Sequence, residues 1–75
     1  MLSESQKNLL SLVAEKNGKL NWYKISRAYV NRFGSPADLS ESFKYLESEG
    51  LIESKPIDGE PLPQLYISEK GKTLL

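Results

Sequence analysis

Apolar positions along this chain recur at helical spacing three times, then give way to two short runs rich in Leu, Ile and Tyr. Leu2, Leu9, Leu10 and Val13, with Gln6 among them, mark one side of a first helix running to about Asn17; Leu12 falls off that stripe. Ser3 followed by Gln6 has capping-box spacing at its start, and Gly18 ends it. Asn21 is a good N-cap for a second helix, Trp22 to Phe33, stopped by Gly34. Trp22, Ile25, Ala28, Tyr29 and Phe33 form its buried side, and Tyr23, Arg27 and Val30 form a second stripe roughly opposite. The third helix takes Ser35 as N-cap, with Pro36 at its first position and Asp38 at its third. Leu39, Phe43 and Leu46 are its buried ridge, and Gly50 can adopt the left-handed conformation that stops it.

Beyond Gly50 the pattern is that of a hairpin. Leu51 and Ile52 open a strand that either ends near Lys55 or is an edge there, because Pro56 cannot donate to a ladder. Asp58 to Pro63 make a tip stiffened by two prolines, and Leu65, Tyr66 and Ile67 return as the second strand. Leu20, in the link before the second helix, can add a small strand beside this hairpin. Ser68 caps a last turn, Glu69 to Lys72, after which Leu74 and Leu75 can tuck onto the first helix. Gly34-Ser35-Pro36 is the short glycine-containing turn of a helix-turn-helix. A third helix running straight into a hairpin then predicts an α+β winged helix: a three-helix core with a C-terminal β-hairpin wing, one domain over residues 1–75.

Composition narrows the chemistry. A chain of 75 residues buries only about 60–65% of its unfolded surface, so nearly every large apolar residue belongs to one core. Cysteine and histidine are absent, which removes disulfides, zinc sites built from those ligands and histidine general bases. The carboxylates, lysines and tyrosines that remain are not spaced to share a cleft, and there is no Walker-type phosphate loop. No enzyme and no cofactor are expected. No apolar run reaches the ~20 residues of a membrane span, and the N-terminus lacks the pattern of a signal peptide. A soluble cytoplasmic domain is the expectation. Net charge is zero, but five cations and no acid lie between Lys16 and Arg32, while seven acids face two lysines between Asp38 and Glu60.

Two segments carry a family resemblance: Leu46-Glu47-Ser48-Glu49-Gly50-Leu51-Ile52-Glu53, and Leu65-Tyr66-Ile67-Ser68-Glu69-Lys70-Gly71-Lys72-Thr73-Leu74-Leu75. They resemble the winged-helix domains of MarR- and PadR-type transcriptional regulators. In those families the first segment closes the recognition helix and begins the wing, and the second is the returning strand and the next helix. The resemblance implies double-stranded DNA as partner, with the third helix in the major groove and the wing on the backbone. Ala37, Glu41, Lys44 and Ser48 would face outward, with Ser40 and Tyr45 at the edges. The candidate DNA-binding residues are Lys24, Arg27, Ser35, Ser40, Glu41, Lys44, Tyr45, Ser48, Lys55 and Gln64. The resemblance also implies Lys or Arg in the wing, where this chain carries Asp58 and Glu60 instead. Phosphate neutralisation then falls to Lys44, to Lys24 and Arg27 of the second helix and to Lys16 and Lys19 before it.

The alternative is a protein-interaction winged helix without strong DNA binding. Its candidate contacts are Tyr23, Arg27, Val30 and Leu62. Regulators of the resembled families dimerise through helices beyond the wing. Within these residues a homodimer would use the first helix, the tail or the Tyr23/Arg27/Val30 stripe.

Overall fold

The computed structural model describes residues 2–34 and 38–75. In order the elements are α1 (Glu4–Glu15), α2 (Trp22–Phe33), α3 (Leu39–Ser48), β1 (Ile52–Lys55), β2 (Gln64–Ile67) and α4 (Glu69–Lys72). The start of α1 is a reciprocal capping box: Ser3 Oγ accepts from the Gln6 amide at 3.2 Å, and Gln6 Oε1 accepts from the Ser3 amide at 2.9 Å. Asn21 caps α2 through its Oδ1, 2.9 Å from the Lys24 amide. Helix α3 begins at Leu39, with Asp38 as an N-cap whose side chain makes no capping hydrogen bond. Asp38 thus moves from the expected third helical position to the cap, and the expected Ser35 cap and Pro36 start lie outside the described residues.

Helix α3 ends in a Schellman motif centred on Gly50 (φ 72°). The Leu51 amide donates back to the Leu46 carbonyl at 2.9 Å and the Gly50 amide to that of Glu47 at 3.0 Å. Leu46 and Leu51 are both buried and supply the apolar contact that goes with this stop. Leu51 is therefore spent on the turn, and the strand starts one residue later than expected, at Ile52.

Strands β1 and β2 pair antiparallel with Ile52 opposite Ile67 and Lys55 opposite Gln64. The expected third strand is reduced to one bridge, Asn21 to Gln64, flanked by Leu65 N–H to Leu20 O at 2.9 Å and Gly18 N–H to Leu65 O at 2.8 Å. Asn17 leaves the end of α1 to accept the Ile67 amide at 2.9 Å. The link between α1 and α2 is thereby laid along the free edge of β2.

Leu9, Leu10, Leu12, Val13, Ile25, Tyr29, Leu46, Leu51, Ile52, Leu65 and Ile67 form the core. Full burial of each aliphatic side chain contributes about 1.5–3 kcal/mol. Leu12 departs from the sequence reading. It is 2% exposed, because α1 packs against α2, α3 and β2 together and buries more than one stripe. Phe33 departs in the other direction. It is 41% exposed, resting on Tyr29 with ring centroids 4.9 Å apart, because the last turn of α2 runs past the core. Leu74 and Leu75 reach α1 but stay more than half exposed, lining a shallow groove with Leu2, Lys7, Leu10 and Ser11. No helix of the described residues is long and apolar enough to cross a membrane.

Candidate nucleic-acid interface

Helix α3 turns Leu39, Ser42, Phe43 and Leu46 toward the molecule, and Ser42 and Leu46 are fully covered. At about 100° per residue this fixes the opposite side as Glu41, Lys44 and Ser48, with Ser40 and Tyr45 flanking it. All five are exposed. Lys44 forms no ion pair with Glu41 or Glu47, nor with any other carboxylate among the described residues. Ser48 Oγ donates to the Tyr45 carbonyl at 3.0 Å, so its proton is held within the helix. Its lone pairs alone face outward.

The hairpin is tied to α3 at its root. Ser54 Oγ donates to Glu47 Oε2 at 3.1 Å, joining β1 to the last turn of the helix. Helix α4 locks the same junction. Ser68 Oγ donates to the Gly50 carbonyl at 2.5 Å and accepts the Gly71 amide at 2.9 Å, while the Ser68 amide donates to Leu51 O at 3.1 Å. Lys70 Nζ adds a bond to the Glu49 carbonyl at 2.9 Å. The wing and α3 are thus held as one surface by bonds from three sides.

Cations are distributed unevenly on it. Lys24 and Arg27 stand exposed on α2, with the Arg27 guanidinium 6.0 Å from the Tyr23 ring centroid. Arg32, from the same basic run, is bound across to α1 at 2.7 Å from Glu15 Oε2. The hydrogen bond and charge of Arg32 hold the Glu15 carboxyl below the usual carboxylate range. Lys55 lies on the outer face of the hairpin, 3.4 Å from Glu53 Oε2 and 5.1 Å from the Tyr66 ring centroid. It is engaged there and does not extend from the wing tip.

Gln64 is the clearest departure among the candidate DNA contacts. It is 7% exposed, and its Oε1 is buried without a hydrogen-bond partner. Strand alternation puts Gln64 on the outer face with Tyr66, yet its side chain is covered rather than presented to a partner, and Asn21 is bridged to it along the edge of β2. Ser35 lies outside the described residues.

The structure divides the candidate partner contacts. Tyr23 and Leu62 meet in one apolar groove of about 400 Å³ between the start of α2, α3 and the wing, whereas Val30, exposed two turns further along α2, does not line it. Trp22, Phe43, Glu47, Ser54, Pro63 and Leu65 complete the groove. Trp22 and Phe43 stack with centroids 4.3 Å apart and planes 23° from parallel. Sequence reasoning missed Glu47 and Ser54 as groove residues. The signal for them is a carboxylate one turn beyond Phe43 and a small polar residue in the facing strand.

Three helices followed directly by an antiparallel hairpin, with α3 joined to the hairpin root, define a winged-helix domain. Among solved structures, the crystal structure of SSV1 F-93 is similar to this chain with a TM-score of 0.79 at 22% sequence identity, covering 96% of this chain and 78% of that one. No family model and no curated protein matches the chain.

Proposed function

We propose that this winged helix is a DNA-binding transcriptional regulator of the MarR/PadR kind, with α3 entering the major groove. The observation that carries the reading is the exposed side of α3. Ser40, Lys44 and Tyr45 stand on it without the ion pairs that would tie Lys44 down, and a bonded hairpin lies alongside. Lys24 and Arg27 on α2 extend the positive surface toward the backbone. Lys44 can bond guanine or phosphate, and Ser40 and the Tyr45 hydroxyl can bond phosphate oxygens. Glu41 can accept from a cytosine amino group but repels phosphate, as do Asp58 and Glu60 in the wing.

Three cations make this a weak, salt-sensitive monomeric contact. A dimer through α1 and the tail, where Leu2, Leu10, Leu74 and Leu75 line a groove of about 300 Å³, would double the cations presented.

Titration of mixed-sequence duplex into the protein at low salt, followed by NMR amide shifts, tests the reading. Amides of α3 and the start of α2 should move, and log K should fall with log salt at a slope of about −3 for a monomer. Lys44→Ala and Arg27→Ala should each make that slope shallower by about 1. Absence of binding at tens of micromolar, or binding that ignores both substitutions, refutes it.

A further inference from the structure

We propose that the groove between α2, α3 and the wing binds a small apolar cation, and that its occupancy strengthens the wing face for DNA; the second half rests on the DNA-binding reading above. The groove's volume, about 400 Å³, lies in the range of small-ligand sites, ~300–1,000 Å³. Its walls are largely aromatic and aliphatic, with the Trp22–Phe43 stack on one side and Leu62 and Pro63 of the wing on another. Such walls take an apolar body, and aromatic rings additionally attract positive charge.

The sign of the ligand follows from Glu47. Among the described residues it is the one charged residue lining the groove, and no Lys or Arg of these residues pairs with it. The hydroxyl of Ser54 fixes its Oε2 at 3.1 Å, which leaves Oε1 to accept from a ligand. An anion would meet this exposed carboxylate beside a wing that already carries Asp58 and Glu60, and a neutral molecule would gain nothing from its charge. An ammonium on an apolar stem satisfies both the walls and the charge. Arg27 is the opposing group. Its guanidinium lies over Tyr23, so that ring contributes less to a cation than Trp22 and Phe43 do.

The location gives the consequence. A ligand seated here touches α2, α3 and the wing together and neutralises an acid on the α3–wing surface. Removing that negative charge favours a phosphate backbone.

Trp22 is the only tryptophan in the chain, so its fluorescence reports the groove directly. Three probes of one shape separate charge from burial: 4-tert-butylbenzylammonium, 4-tert-butylbenzyl alcohol and 4-tert-butylbenzoate. The ammonium should give a saturable change and bind more tightly than the alcohol, with the benzoate weakest. Glu47→Gln should weaken the ammonium about fivefold, the upper end for an exposed ion pair, and leave the alcohol unchanged. Leu62→Ser should weaken ammonium and alcohol alike, with circular dichroism confirming that each variant is folded. Equal binding of ammonium and alcohol, indifference to Glu47→Gln, or no saturable change with any probe overturns the site.

Duplex affinity is then measured with and without saturating ammonium. An increase supports the regulatory half, and unchanged affinity with the ammonium bound overturns it. Ammonium binding together with failure to bind duplex under either condition overturns the DNA reading and leaves the ligand site standing.

Discussion

Gly71→Ala sets helix propensity against packing, and the two give opposite signs. Gly71 lies inside α4, where alanine is ordinarily favoured by about 0.5–1 kcal/mol because it loses less backbone entropy. Its α-carbon, however, sits against the root of the wing. A Cβ there would fall on the carbonyl oxygen of Leu51 and lie 3.0 Å from Ile67 Cγ1 and 3.1 Å from the Leu51 carbonyl carbon. The first of these neighbours is backbone, held by the Ser68 amide, and cannot rotate aside. Relief requires α4 to move away, which strains or breaks the Ser68–Gly50, Ser68–Leu51 and Lys70–Glu49 bonds. Overpacking of this kind costs about 1–3 kcal/mol, and against backbone that cannot give way the upper half of that range applies, so a net loss of about 1–2.5 kcal/mol remains after the propensity gain. For a domain of this size that lowers Tm by roughly 5–15 °C. Thermal unfolding followed by far-UV circular dichroism measures it. Lys72→Ala, in the same turn, serves as the control, since loss of its exposed pair with Glu69 should stay within about 0.5 kcal/mol. A Gly71→Ala variant with unchanged or raised Tm would refute the close approach of α4 to the hairpin root.

Leu12→Ala should cost about 2–5 kcal/mol in urea unfolding, the range for a fully buried leucine, whereas a surface leucine would change stability by less than about 0.5 kcal/mol. The Glu15–Arg32 pair makes a pH-dependent prediction with a definite sign. Because Arg32 lowers the Glu15 carboxyl below its ordinary 4.5, the stability it adds is fully present above that value and is lost as pH falls through the lower folded-state value. The Tm difference between the wild type and Glu15→Gln should therefore shrink on acidification from about pH 4.5 downward, and should shrink with salt at neutral pH because the pair is exposed.

The parts of this molecule that were legible in the sequence are those fixed by residues near one another in the chain. The Ser3–Gln6 box, the Asn21 and Ser68 caps and the Gly50 stop each depend on a side chain or a positive φ within one helical turn, and each is formed as its residue types dictate. The misreadings have a different origin. Leu9, Leu10, Leu12 and Val13 span about 160° of the α1 surface at 100° per residue, a width that only a helix enclosed on several sides can bury. Gln64 follows the strand alternation faithfully, yet it is buried, and the residue bridged to it, Asn21, is far away in the chain. Tyr66 is constrained the same way, since a Cβ on Gly18 would meet its ring. For the interface, the exposed side of α3 could be read from Leu39, Phe43 and Leu46 alone. The groove could not, because Trp22, Phe43 and Leu62 come from three elements and meet only when the wing folds back.

The electrostatics of the proposed DNA contact follow from which cations are already engaged. Arg32 is bound to Glu15, Lys55 to Glu53 and Lys72 to Glu69, and none of these lies on the outward side of α3. That side offers Lys44, and the adjoining α2 offers Lys24 and Arg27, while Asp58 and Glu60 occupy the wing tip. A duplex approaching this surface gains on the α2 side of α3 and is repelled on the wing side, so the favoured pose on this reading leans toward α2. The same imbalance gives the groove its regulatory leverage. Glu47 joins the two halves, being bonded to the wing through Ser54 and carried by α3. Neutralising it removes repulsion at the point where the pose is decided. If instead the wing is the principal backbone contact, Asp58→Asn and Glu60→Gln together should raise duplex affinity far more than Glu47→Gln does. A larger gain from Glu47→Gln would favour the α2-leaning pose.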